Sequence, residues 1–176
     1  IRVANVGQTA TIEAPITGTG GVNVNGAGIL VLTGANTYTG LTTVFAGSTL
    51  TATGALKGPV RNNSGVVNAG GTIAGDVLNT GTGAFNATGA LTISGTLTNK
   101  STNPAGVAID LNESLSATSI VNEIGTTIVN AGTLSATNPI LNAGTLTNTG
   151  SVNAAVSNTG TLNSSGMLTG LLLNSG

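Results

Sequence analysis

The sequence predicts an all-β parallel β-helix, or β-solenoid, built from short three-sided rungs. The first observation behind this prediction is a period of sixteen residues from position 140 to the C-terminus, which aligns as ILNAGTLTNTGSVNAA, VSNTGTLNSSGMLTGL and LLNSG. A fixed period of this size is typical of a solenoid, because one rung cannot bury its own apolar face and must stack on its neighbours. The repeat forms an aliphatic, an asparagine and a glycine column: Ile140, Val156 and Leu172; Asn142, Asn158 and Asn174; Gly144, Gly160 and Gly176.

The second observation is an alternation with a period of two inside each repeat. Aliphatic residues occupy even positions, and small polar residues such as Thr145 and Thr147 occupy the odd positions between them. This pattern indicates strands with one buried face. The aliphatic positions 140, 146, 152 and 156 are spaced by six, six and four residues, so the chain must turn between them. We therefore predict three short strands in each rung.

The third observation is an Asn-x-Gly unit between successive strands. Glycine adopts positive φ without steric cost and asparagine tolerates the left-handed region, so this unit predicts a bend at Gly144 and at Gly160. Asparagine side chains in one column can also bond to their copies in adjacent rungs. We predict a structural ladder of Asn142, Asn158 and Asn174, flanked by these two glycines.

Composition argues against several classes of function. Only 5% of the 176 residues are charged, the net charge is −1 and aromatic residues make up 2%. A nucleic-acid partner is not expected, because the sequence has neither a basic patch nor interleaved aromatic residues. The sequence contains no cysteine and no histidine, which removes disulfides, thiolate metal sites and the commonest general base. We expect no catalytic residue, no metal site and no cofactor.

In chain order, residues 1 to 24 combine short alternating segments with glycine-rich turns, which predicts short strands. Residues 26 to 50 read GAGILVLTGANTYTGLTTVFAGSTL, which predicts a strand, a turn from Gly34 to Gly40 and a returning strand. Tyr38 is expected to pack this turn rather than stack on a ligand, because a single ring makes a poor binding platform.

The string from 26 to 50 resembles the passenger-associated transport repeat of bacterial autotransporter proteins, with departures at the loop positions Leu41 and Ser48. The matching residues are Gly26, Gly28, Leu30, Leu32, Gly34 to Gly40, Thr42, Thr43, Val44, Ala46, Gly47 and Leu50. The resemblance implies a right-handed parallel β-helix on the bacterial cell surface. It further implies export across the outer membrane by a C-terminal β-barrel absent from these residues, which would be the expected contact with a membrane. Residues 1 to 176 would then form a single β-helix segment of a longer passenger domain.

Two stretches predict loops. The segment KGPVRNN, from Lys57 to Asn63, gathers charge around a proline in an expected loop. Residues 100 to 119 interrupt the Asn/Gly units and are a candidate inserted binding loop, with Lys100, Asp110 and Glu113 as candidate binding residues. The alternative for this segment is an ordinary rung with a solvated edge, because aliphatic residues at 107, 109 and 111 alternate like a strand.

The predicted function is a structural and adhesive cell-surface module, a passenger stalk that presents binding surfaces and supports export. Its expected partners are protein or glycan molecules on host cells or neighbouring cells. Self-association is a further expectation, because Leu171 to Leu173 form an apolar last rung with an open edge. Since natural solenoids have polar caps, we interpret the chain as a section of a longer passenger.

Two alternatives from other classes remain open. An ice-binding solenoid would need a regular outward threonine array, in which Thr145 over Thr161 fits and Thr147 over Asn163 does not. A polysaccharide-acting β-helix enzyme would need an acidic cluster and usually aromatic platforms, and aromatic residues are scarce here. The acidic residues considered for such a cluster are Asp76, Asp110, Glu113 and Glu123.

Overall fold

The computed structural model describes residues 1 to 175 and confirms an all-β parallel β-solenoid. All ladders between the strands of these residues are parallel. In chain order the strands are β1 (Thr9–Ile12), β2 (Val22–Val24), β3 (Ile29–Leu32), β4 (Thr42–Phe45), β5 (Thr49–Ala52), β6 (Val60–Asn63), β7 (Val66–Ile73), β8 (Val77–Gly81), β9 (Ala84–Ser101), β10 (Val107–Ile109), β11 (Ser114–Asn122), β12 (Thr127–Asn130), β13 (Thr133–Ala136), β14 (Ile140–Asn142), β15 (Thr145–Asn148), β16 (Ser151–Asn153), β17 (Val156–Asn158), β18 (Thr161–Ser164), β19 (Met167–Leu168) and β20 (Leu172–Asn174).

Each rung has three faces, and equivalent strands of successive rungs pair along each face, except that before β7 face 3 is marked only by isolated bridges at Asn36 and Leu56. Face 1 stacks β2, β4, β6, β8, the end of β9, the end of β11, β14, β17 and β20. Face 2 stacks β1, β3, β5, the start of β7, the start of β9, β10, β12, β15 and β18. Face 3 stacks the end of β7, the middle of β9, the start of β11, β13, β16 and β19.

The sixteen-residue register is confirmed in the last rungs. Ile140 pairs with Val156 and Val156 with Leu172 on face 1, while Leu146 pairs with Leu162 on face 2. Towards the N-terminus the spacing between equivalent face 1 residues varies from 17 to 23, and the extra residues lie in the corners. Variable corners leave the strand register unchanged, because only the strands must stack.

The core is a set of aliphatic columns that run along the inside of the stack. On face 2, Leu30, Leu50, Val67 and Phe85 follow one another in register, and all four are fully buried. Tyr38 is buried too, and its hydroxyl forms a 2.6 Å hydrogen bond with Oγ1 of Thr42. Burial raises the pKa of the Tyr38 phenol, which the Thr42 hydrogen bond partly offsets. Tyr38 therefore packs a turn, as its place in the sequence predicts.

The corner glycines of the C-terminal repeat correct the reason predicted for them. Positive φ occurs at Gly7, Gly18, Gly26, Gly47, Gly71, Gly81, Gly89 and Gly125, and it does not occur at Gly144 or Gly160. A Cβ atom on Gly160 would instead overlap the carbonyl oxygen of Gly144 in the rung below. These positions require glycine because stacked backbones approach closely at the corner, whereas the local dihedral angles suit any residue.

Two local predictions need correction. Residues 60 to 63, expected in a loop, form β6 on face 1, with Val60 and Asn62 buried. The predicted alternation at 107, 109 and 111 ends early, because Leu111 lies beyond β10 and is 72% exposed. At the C-terminal end of face 2, Leu162 is partly buried, since within residues 1 to 175 no strand pairs with the far side of β18.

The segment from 100 to 119 is divided between strands and turns. It includes the end of β9, all of β10 and the start of β11, with turns between them. Inside residues 1 to 175, no helix has the length and apolar character needed to cross a membrane.

Candidate functional site

A column of asparagine side chains runs through seven rungs of face 1 in the described residues. Each amide nitrogen donates to the amide oxygen of the next asparagine, over distances from 2.5 to 3.2 Å. In order the column contains Asn62, Asn79, Asn99, Asn122, Asn142, Asn158 and Asn174. In the two rungs before Asn62 the same position holds Val24 and Val44. The asparagine column therefore begins at β6.

The ladder amides also bind the backbone of the next rung, where its face 2 strand begins. Asn142 donates to the carbonyl oxygen of Thr161 at 2.9 Å, and Asn99 donates in the same way to Thr127 at 2.9 Å. Asn62 at the start of the ladder accepts from the amide of Gly65 at 3.0 Å. The structure thus places Asn142, Asn158 and Asn174 in a column whose polar groups bond to protein, which makes it a structural element rather than a ligand site.

Sequence reasoning missed the first four members of this ladder. The sequence does carry a signal for them, because each follows an aliphatic residue two positions earlier, as in Val60-x-Asn62 and Val77-x-Asn79. A second, shorter ladder was also missed on face 2, where Asn130 donates to Asn148 at 2.8 Å. The Oδ1 atom of Asn130 is buried without a partner in the described structure, and its neighbour in the rung below is Ile109.

Replacing Asn122 by alanine should lower the free energy of unfolding by about 2–4 kcal/mol. Asn122 accepts from Asn99 at 3.0 Å and donates to Asn142 at 2.7 Å. Its loss would leave the buried Oδ1 atom of Asn142 without a donor and would remove one of the two hydrogen bonds of the Asn99 amide nitrogen. Chemical denaturation monitored by circular dichroism measures the change. The matched control is Asn163→Ala on the exposed side of face 2, where a change within about 0.5 kcal/mol is expected. Equal effects of the two substitutions would contradict a stabilising ladder.

The candidate binding residues Lys100, Asp110 and Glu113 do not lie together. Lys100 ends face 1 and forms a 3.2 Å ion pair with Glu123 in the next rung. Asp110 and Glu113 lie past the other end of β10, on the turn between faces 2 and 3, where the amide of Glu113 donates to the carbonyl of Asp110 at 3.0 Å. The strand β10 therefore separates the cation from the two carboxylates.

A shallow depression of about 420 Å³ follows the corner between faces 2 and 3. We call it the Glu113 depression, because this carboxylate belongs to its wall, and Oε2 of Glu113 is buried without a hydrogen-bond partner in the described residues. Apart from the exposed Leu111, its other residues are small or polar and come from three successive rungs: Asn112, Ser114, Ala131, Gly132, Thr133, Thr149, Gly150 and Ser151. Hydroxyl groups and one carboxylate can accept hydrogen bonds from a neutral polar ligand or a cationic one.

The residues considered for the alternative functions are placed separately. Oδ1 of Asp76 accepts a 2.8 Å hydrogen bond from the amide of Thr96. No group of three or more acidic, histidine or cysteine side chains suited to a metal occurs in residues 1 to 175. Outward positions on face 2 pair Thr145 with Thr161 but Thr147 with Asn163, so the threonine array is irregular.

Comparison with known proteins gives one informative similarity. The chain is 43% identical over 84 residues to the adhesin BmaC autotransporter of Brucella suis biovar 1 (strain 1330). The similarity covers 44% of this chain and 2% of that protein, so the chain spans a small fraction of its relative. No family model matches the chain, and no solved structure matches it. A β-solenoid similar in sequence to an autotransporter adhesin is consistent with an autotransporter passenger.

Proposed function

We propose that this chain is a segment of an autotransporter passenger, a non-enzymatic stalk at the bacterial surface that presents binding surfaces and supports export. The observation that carries the proposal is the unbroken parallel stack of face 1 from β2 to β20, in a chain similar to an autotransporter adhesin. A stack of this kind is stiff and elongated, since every rung extends the same three faces. It can therefore hold a binding surface away from the membrane.

The architecture also suits export of an extended chain. Each rung contacts mainly the rungs directly before and after it, as the strand pairing shows. A solenoid with nearest-neighbour contacts can fold by adding one rung at a time to a folded end. A chain emerging from a pore could thus fold progressively, without waiting for contacts between distant parts of the sequence.

For the adhesive part of the proposal, the Glu113 depression is the surface we assign to a partner on a host or neighbouring cell. It combines the Glu113 side chain with hydroxyl groups from three rungs. These groups suit a glycan or a protein segment that offers hydrogen-bond donors. They offer little to an acidic partner, because the carboxylate would repel it.

Adhesion of cells that carry the full-length protein tests the proposal. Thr133→Arg and Thr149→Arg would fill the Glu113 depression with large side chains, and we expect adhesion to fall several-fold while the amount of surface protein stays constant. The matched control is Thr145→Arg with Thr161→Arg on face 2, outside the depression, where adhesion should not change. Unchanged adhesion after deletion of the whole segment would contradict an adhesive role.

A further inference from the structure

An apolar surface covers the outer side of face 1 near its C-terminal end. Val121, Leu141, Ser157 and Leu173 follow one another in register and point away from the core. Leu141 is 49% exposed and Leu173 is 61% exposed, while Ser157 forms a notch between them. We call these four residues the Leu141 surface. A depression of about 300 Å³ on one side of this column is bounded by Pro139, Ala155 and Leu171, and a second of about 320 Å³ lies on the other side.

The outward direction of these side chains follows from strand alternation. In β14 the neighbours of Leu141 are Ile140 and Asn142, which are both buried in the core. Because rungs stack along the solenoid axis, a further rung would cover the inward Leu172 but would leave Leu173 facing outward. The Leu141 surface is therefore exposed because its side chains point outward from face 1, and a further rung would not cover them.

The chemistry of the surroundings restricts what this surface can bind. The last charged residue of the sequence is Glu123, so residues 124 to 176 carry no charged side chain. Glu123 itself is paired with Lys100. A nucleic acid or an acidic peptide would find no charge to pair with there. A sugar would find no aromatic platform, because Tyr38 and Phe85 are buried in the core and Phe45 lies on β4, far from this end of face 1.

We propose that the Leu141 surface binds the same surface of a second copy of this chain. A two-fold axis parallel to the strands, midway between β14 and β17, would place Leu141 of one copy in the Ser157 notch of the other. The same axis would place Val121 against Leu173 at the outer edge of the contact. A two-fold axis along the solenoid would instead place Leu141 against Leu141 and leave both notches empty. The first arrangement fills the notches and is self-complementary, as a two-fold contact requires.

The contact is small and therefore weak. Four rungs spaced by about 4.8 Å, on a face about five residues wide when a corner residue on each side of the three-residue strand is counted, offer roughly 300 Å² per copy. Stable interfaces bury about 800 Å² per partner, so a dissociation constant of about 1 mM is expected. Many copies on one surface would reinforce one another through multivalency. The contact depends on the shape of face 1 and holds whether or not the Glu113 depression binds a partner.

Sedimentation of the 176-residue chain tests self-association directly. The average mass should rise between about 10 µM and about 1 mM. Ser157→Asp should raise the dissociation constant at least about tenfold, because the notch would then place a charge against Leu141. Ser157→Leu fills the notch and should act in the same way without adding charge. The matched control is Thr43→Asp, an outward residue of face 1 near the N-terminus, which should leave association unchanged.

Cysteine cross-linking tests the orientation. The sequence contains no cysteine, so an introduced thiol is unique in each molecule. On mixing Leu141→Cys with Ser157→Cys under mild oxidation, the mixed disulfide between positions 141 and 157 should dominate. Dominance of the disulfide between two copies of position 141 would overturn the proposed axis. A mass that stays monomeric at all concentrations, with no cross-linked product, would overturn the contact altogether.

Discussion

Replacing Leu146 by aspartate should lower the free energy of unfolding by more than about 4 kcal/mol. The substitution removes buried apolar surface and places an unpaired charge among the buried aliphatic side chains of the core. Leu146 is fully buried on face 2, between Ile128 of the rung below and Leu162 of the rung above. Because rungs depend mainly on their neighbours, the damage should be greatest close to the substitution. Hydrogen exchange should show protection lost first from residues 140 to 175, with the rungs before residue 101 retaining it.

The matched control is Thr147→Asp on the same strand. Thr147 points outward and pairs with Val129 below and Asn163 above, so its carboxylate would remain hydrated. A change within about 1 kcal/mol is expected. Similar losses for the two aspartates would mean that alternation along β15 does not separate core from solvent.

Replacing Gly144 by alanine should cost about 2–3 kcal/mol, although it adds only a methyl group. The new Cβ atom would overlap the carbonyl oxygens of Thr126 and Glu123, which are backbone atoms of the rung below. The overlap can be relieved only by moving a rung away, and the 2.8 Å hydrogen bond from the amide of Thr145 to Thr126 lies at this position. Thermal and chemical denaturation of the purified chain would measure the loss.

Gly20→Ala is the control for this substitution. A Cβ atom at Gly20 would meet no heavy atom within 4 Å, and its φ is negative or extended. Alanine there should leave stability unchanged or raise it by up to about 1 kcal/mol, because it restricts the unfolded chain. An equal cost at both glycines would show that chain flexibility rather than close packing of rungs explains Gly144.

The adhesive and self-associating surfaces differ in how far sequence could predict them. Lys100, Asp110 and Glu113 were grouped because they are close in sequence, and the structure places the lysine and the two carboxylates at opposite ends of β10. Within the Leu141 surface, the sixteen-residue period already aligns Leu141, Ser157 and Leu173. Val121, twenty positions before Leu141, joins them only once the rungs are stacked. Corner lengths decide which residues become neighbours, and these lengths have no strong sequence signature.

The sequence by itself determined the fold class, the three strands of each C-terminal rung and the inward or outward direction of their side chains. Those features follow from local alternation and from a constant period, which are physical requirements of a strand with one buried face. Tertiary structure decided the extent of the asparagine ladder, because spacings of 17 to 23 residues hide the column that contains Asn62 and Asn99. It also decided why Gly144 must be glycine, since that reason is a backbone atom contributed by another rung.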